Sequence, residues 1–175
     1  LGDALALEGG EESPFVRRRE IRNTIVVVIA GDRGLAGGYN SNVFKYVNSL
    51  MNDGGGYTII PIGKKAREYY SSRAADVIDV GYDSVTDVGA DGAGDIASLL
   101  CREYEKGKID RAIVVYTRFV SMLTQSVEED TLLPLDSDSL KGEKKRTAIC
   151  DISAEELLGG IVPFCLSGII FAALC

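Results

Sequence analysis

Apolar positions in this chain follow two rhythms that alternate. Short runs rich in β-branched residues read as strands: Thr24–Ala30 (TIVVVIA), continuous enough to be buried on both faces, then the short Tyr57–Ile62 (YTIIPI) and Asp76–Val80, and Arg111–Thr117 (RAIVVYT), a second central strand. Between them, apolar residues recur at helical spacing. Val43, Tyr46, Val47, Leu50 and Met51 predict a helix over 40–52, Gly63–Arg73 a second, and Ile96, Leu99, Leu100 and Tyr104 a third over 95–106. Asp53-Gly54-Gly55-Gly56 stops the first helix and Gly107 the third. Pro61 points to an edge or terminal position on the second strand. The Gly- and Asp-rich stretch Ser84–Asp95 reads as a loop. The order β-α-β-α-β-α-β predicts a mostly parallel sheet with helices on both faces.

The rhythm breaks after the fourth strand. Met122–Leu135 leaves no room for a crossover helix and reads as a loop followed by an extended segment, antiparallel at the sheet edge. Ser137–Arg146 is a polar loop, and Ala148–Ile152 has the makings of one more strand. Ser153-Ala154-Glu155-Glu156 is a capping box opening a final helix. Leu157–Cys175 carries no charge, so hydropathy leaves two readings open: a membrane span, or a helix packed on the sheet or on a partner. Before the first strand, 1–7 reads as the tail of an element and 8–13 as a loop.

The most conspicuous feature follows the first strand. Gly31-Asp32-Arg33-Gly34-Leu35-Ala36-Gly37-Gly38 turns the chain sharply and leads into Asn40-Ser41-Asn42, residue types that cap helices. A strand, a glycine-rich loop and a helix N-terminus together can hold a phosphate. The glycines do not form GxGxxG, however, and no Lys-Ser/Thr follows them; Gly63-Lys64-Lys65 also lacks the P-loop pattern. Tight turning and close helix–strand packing explain the glycines as well.

Composition narrows the chemistry. The 175 residues suffice for one domain, and a net charge of −7 argues against nucleic acid as the main partner. Arg17-Arg18-Arg19 and Lys144-Lys145-Arg146 are the dense basic clusters, and such runs are usually solvated. There is no histidine, which removes the commonest general base and metal ligand. Cys101, Cys150, Cys165 and Cys175 have neither disulfide-scaffold nor zinc spacing and read as reduced thiols. Asp32 with Arg33 could act as an acid and an anion clamp, Glu128-Glu129-Asp130 could hold a divalent cation, and Tyr116-Thr117-Arg118-Phe119 could face a site. Each is as readily a solvated or core feature. No catalytic residue and no cofactor site is assigned.

Several stretches together resemble the gamma subunit of F-type ATP synthase. They are Asp32–Asn42 (DRGLAGGYNSN), Gly63-Lys64-Lys65, Val115–Ser121 running on to Leu123-Thr124-Gln125, Leu132-Leu133-Pro134-Leu135 and Glu155-Glu156-Leu157-Leu158. Their order and spacing match from about residue 14 to the end; Ala36 stands where family members often have a small residue or cysteine. The resemblance implies an α/β, Rossmann-like three-layer domain over 14–153. Residues 1–13 would end a truncated N-terminal element, and 154–175 would form the base of a coiled-coil shaft. It implies a non-catalytic rotor subunit that couples ion-driven rotation of the membrane ring to ATP synthesis or hydrolysis. The partners implied are the alpha and beta subunits of the catalytic hexamer, an epsilon or delta-like stalk subunit and the membrane c-ring. The location implied is peripheral, on the cytoplasmic face of a bacterial membrane or its organelle equivalent. The loop of Asp32, Arg33, Gly34, Leu35, Ala36, Gly37 and Gly38 becomes the expected contact facing the hexamer. The different-class alternative is a nucleotide- or anion-binding α/β enzyme domain using the same loop.

Overall fold

The computed structural model describes residues 13–16, 19–32, 38–73, 76–121, 124–135 and 154–175. Five strands form one sheet, β1 (Asn23–Ile29), β2 (Gly56–Ile62), β3 (Asp76–Val77), β4 (Arg111–Ser121) and β5 (Thr124–Leu133). Among the described residues four α-helices accompany them, α1 (Tyr39–Leu50), α2 (Lys64–Ser71), α3 (Val85–Glu105) and α4 (Ala154–Leu174). The strand order is β3-β2-β1-β4-β5, parallel except for β5, which pairs antiparallel with β4 at the edge.

Alternation along the strands divides the core between the two faces. Val26, Val28, Ala30, Ile59, Ile113 and Val115 pack against Val43, Phe44 and Val47 of α1 and Ala66 and Tyr70 of α2. Ile25, Val27, Ile29, Ile60, Ile62, Ala112 and Val114 join α3 and α4 on the opposite face. The chain thus steps outward from β1 with helices on one face, then returns past β1 with α3 on the other. Right-handed crossovers place helices in this way. The sheet reverses direction between β1 and β4, so the loop after β1 leaves from the switch point of a doubly wound sheet.

Pro61 sits inside an internal strand, yet its missing N–H costs no ladder bond. The Ile59 carbonyl accepts from Ile78 on the β3 side, and the Ile62 carbonyl accepts from Ala30 on the β1 side. Alternation turns Pro61 toward the β3 side, beyond the last β3 pairing at Ile59↔Val77. β3 itself ends at Val77, three residues short of the span expected.

The largest departure from the sequence pattern lies in 84–95, which is helical and not a loop. Ser84 caps α3 by accepting from the Thr86 amide at 3.2 Å, and Asp87 in the first turn suits the positive end of the helix. The helical run is broken only at Gly89 (φ 53, ψ −169). Gly92 is required by packing: a Cβ there would lie 2.7 Å from the Tyr82 ring. Of the glycines that make this stretch read as a loop, Gly89 thus marks a kink and Gly92 a close approach inside a helix, while Gly94 faces open space. At the other end of the chain, the Ala148–Ile152 strand and the Ser153 cap lie outside the described residues.

α4 buries Val162, Leu166 and Ile170, a stripe at i, i+4 and i+8 that enters the same cluster as Ile96, Leu100 and Tyr104 of α3. Its opposite face carries Phe164 at 79% exposure and Phe171 at 42%. Among the described residues, no helix is long and apolar enough to cross a membrane. The absence of charge in this segment reflects a helix apolar on two faces, one of them docked on α3 and β4. Replacing Leu166 with alanine should cost about 2–5 kcal/mol in chemical unfolding, the cost of a core cavity. Phe164→Ala should change stability by less than about 0.5 kcal/mol. Equal losses would contradict the docking of α4 through its 162–166–170 stripe.

Candidate functional site

The carboxyl ends of β1 and β2 meet at a tight corner. At its centre Gly63 follows β2 with φ 90, and a Cβ there would lie 2.0 Å from the Ala30 carbonyl oxygen. Only glycine lets the end of β2 press against the end of β1 while the chain turns directly into α2. The lysines of Gly63-Lys64-Lys65 have other work. Lys65 Nζ pairs with Glu68 at 2.6 Å, and Lys64 contributes its backbone amide to the corner.

Asp32 fills that corner from the β1 side. Its Oδ1 accepts from the first amide of α2, Lys64 N, at 3.0 Å, and from the first amide of α3, Val85 N, at 3.4 Å. Its Oδ2 accepts from the Ser84 hydroxyl at 2.5 Å. Ser84 Oγ in turn accepts from Thr86 N, so one hydroxyl relays the carboxylate to the first turn of α3. A single carboxylate thereby satisfies unpaired amides at the N-termini of two helices, where negative charge is favoured. Burial disfavours ionisation of Asp32. The Ser84 hydroxyl, the Lys64 and Val85 amides and the Lys64 charge outweigh it and hold the carboxyl below its ordinary value. Arg67 of α2 pairs with Asp79 and Asp83 just ahead of α3, fastening the same two elements a second time.

The glycine loop is closed at its base by Asn40. The Asn40 side chain accepts from Gly31 N at 2.9 Å and donates to Gly31 O at 3.4 Å, spanning the loop from its far end. Asn40 is therefore not the helix cap its residue type suggests. α1 begins at Tyr39 with Gly38 in the cap position, and Ser41 Oγ donates to the Gly38 carbonyl at 3.1 Å. Of the expected contact residues, Asp32 and Gly38 are placed at the two ends of the loop. Arg33, Gly34, Leu35, Ala36 and Gly37 lie outside the described residues.

The other candidate residues disperse. Glu128, Glu129 and Asp130 alternate across β5: Glu129 accepts from Tyr46 Oη at 3.0 Å on one face, and Asp130 accepts from Tyr116 Oη at 3.0 Å on the other. Glu128 accepts from Ser126 Oγ at 2.7 Å. Among the described residues, no three Asp, Glu or Cys side chains converge on a point that could hold a metal ion. Arg118 is exposed, and the Thr117 hydroxyl is buried without a hydrogen-bond partner. Burial pushes the Cys101 thiol up to about 12, which keeps it an inert core residue. Sequence reading missed Lys64, Ser84 and Val85 as partners of Asp32, and Gly63 as the close contact of Ala30. A serine ahead of Thr86 and Asp87 was the available signal, obscured by the glycines that follow it.

The chain was compared with known families and structures. The pattern of the ATP synthase family matches residues 2–175. An ATP synthase gamma chain of Ruminococcus albus is 34% identical over 167 residues, covering 93% of this chain and 58% of the relative. An ATP synthase gamma chain of Nostoc sp. is 38% identical over 133 residues, covering 73% of this chain and 42% of the relative. The chain thus spans about half the length of these curated relatives. Among solved structures, a chain of the Tetrahymena thermophila mitochondrial ATP synthase central stalk and c-ring matches with a TM-score of 0.64 at 19% identity. That match covers 94% of this chain and 75% of the other. A chain of the Euglena gracilis mitochondrial ATP synthase rotor matches with a TM-score of 0.52 at 18% identity, covering 88% and 60%. At these identities the two structures speak to the fold.

The lowered pKa of Asp32 fixes a sign. Its contribution is present at pH above the unfolded carboxyl value, about 3.9, and is lost as pH falls through the folded value. Asp32→Asn keeps an acceptor but removes the charge, and should cost about 0.3–1 kcal/mol near neutral pH, the range for a charge lost at a helix N-terminus. The gap between wild type and variant in denaturant unfolding should close as pH falls below about 4. A gap that stays constant down to about pH 2.5 would contradict the ionised bracket.

Proposed function

From the premise that this chain belongs to the ATP synthase family, we propose that it is the globular part of a gamma subunit, the central-stalk rotor. It carries no catalytic residues of its own. In the whole complex it turns with the membrane c-ring and forces the alpha/beta hexamer through successive conformations, where ATP is made or hydrolysed. An epsilon or delta-like subunit shares the stalk. The subunit sits peripherally, on the cytoplasmic face of a bacterial membrane or the equivalent organelle face.

The match of the family pattern over residues 2–175 carries this reading. The relatives are ATP synthase gamma chains, and the fold is that of chains from central stalks. The outward face of α4 adds independent support. Phe164 and Phe171 are exposed on a helix whose other face is already docked, as expected of a shaft helix that packs on a second helix. In the same reading, the loop from Asp32 to Gly38 is the contact with the hexamer.

The anion-binding alternative has a physical objection. The N-termini of α2 and α3, which converge on the loop root, already hold an anion there, the Asp32 carboxylate, on Lys64 N and Val85 N, although the N-terminus of α1 carries no side-chain cap. A ligand phosphate would have to displace a tethered charge.

The test is co-assembly. The full-length subunit from the same open reading frame, mixed with alpha and beta subunits, should co-purify as one complex and raise their ATP hydrolysis. Calorimetry of the same subunit with ATP should show no heat of binding. Failure to join the hexamer, together with measurable ATP affinity, would replace the rotor reading by the enzyme-domain one.

A further inference from the structure

Asn40 and Asp32 do different jobs at one place. Asn40 ties the far end of the glycine loop back to Gly31 through both the amide and the carbonyl of that residue. Asp32, the next residue, ties the same end to the first amides of α2 and α3 and to Ser84. These contacts bridge 9, 32, 52 and 53 residues of sequence. Nothing local holds them. The bonds to Asp32 are charge-assisted, and Gly63 seats the end of β2 directly on Ala30 beneath them. The loop root is thus joined to the most buried strand of the sheet and to two helices on opposite faces.

Resting on the rotor reading above, we infer that Asp32 and Asn40 are positioning residues that form a rigid mount for the loop between them. Force applied to the loop passes through the mount into β1 and the N-termini of α2 and α3, instead of bending the loop at its base. Neither residue needs to touch the hexamer. Removing either loosens the root and lets part of each step be absorbed there. Hydrolysis then continues while less of it is converted into ion transport.

The experiment uses the complete complex, reconstituted in vesicles with the full-length subunit, and reads ions pumped per ATP hydrolysed. Asp32→Ala and Asn40→Ala should each lower that ratio about threefold or more. The double variant should be little worse than either, because both residues serve one mount. Tyr57→Phe removes a hydrogen bond to Asp53 at the opposite end of the parallel strands from the loop and should leave the ratio unchanged. Amide exchange at Gly31, Lys64 and Val85 in the assembled complex should quicken about tenfold in Asp32→Ala, the readout of local opening. If Asp32→Ala does not assemble, Ser84→Ala removes one bond to the carboxylate and should show a smaller fall in the ratio. An unchanged ratio alongside faster amide exchange would overturn the mount and leave the rotor reading intact. A wild-type subunit that never joins the hexamer would overturn both.

Discussion

One carboxylate sets how three elements of this fold meet. β1 ends at the switch point of the sheet, and Asp32 reaches from there to the first amides of α2 and α3. Helix N-termini present unpaired donors and a partial positive charge, and two of them converge here. Without an acceptor between them, both would need water or a ligand. With Asp32 in place, the corner is closed, and α2 and α3 are held on opposite faces by a common atom. Gly63 is the steric counterpart of this electrostatic constraint, because any side chain there would collide with the Ala30 carbonyl.

The same corner explains why a loop that looks like a ligand cradle need not be one. Glycine-rich turns after the first strand of a doubly wound sheet are where phosphates bind in other proteins. Here the chain itself supplies the anion at the N-termini of α2 and α3, and Asn40 turns away from capping α1 to close the loop base. Geometry that would hold a small molecule holds the loop instead. A subunit that transmits force has a use for such a loop, because a contact is only as stiff as its root. α4 completes the picture at the other side of the sheet. Its buried stripe fixes it to the body, and Phe164 and Phe171 stay exposed on its other face.

Much of the architecture was legible in the sequence because it rests on local patterns. β1, β2 and β4 are continuous apolar runs, α1 has clear helical spacing, and the break after β4 correctly placed an antiparallel edge strand. The misreading of Ser84–Asp95 has a definite cause. Gly89 and Gly92 serve a kink and the close approach of Tyr82, requirements that exist only in the folded protein. The loop itself stood out at once, whereas its supports did not. Asp32 finds Lys64, Ser84 and Val85 across gaps of 32 to 53 residues, and no periodicity encodes such a meeting. Asn40 was misassigned for a related reason: asparagine is a capping type, and only the position of Gly31 shows that it is used backwards.

The most direct measurement is cryo-electron microscopy of the complete complex during ATP hydrolysis, sorted into rotational classes. The account predicts that this domain lies at the foot of the central stalk, with its loop from Asp32 to Gly38 toward the hexamer. It also predicts that the domain changes its angle to the hexamer from class to class without internal rearrangement of the corner at Asp32, Gly63 and Ser84. A domain that keeps a fixed angle to the hexamer in every class, or that lies outside the stalk, would contradict it.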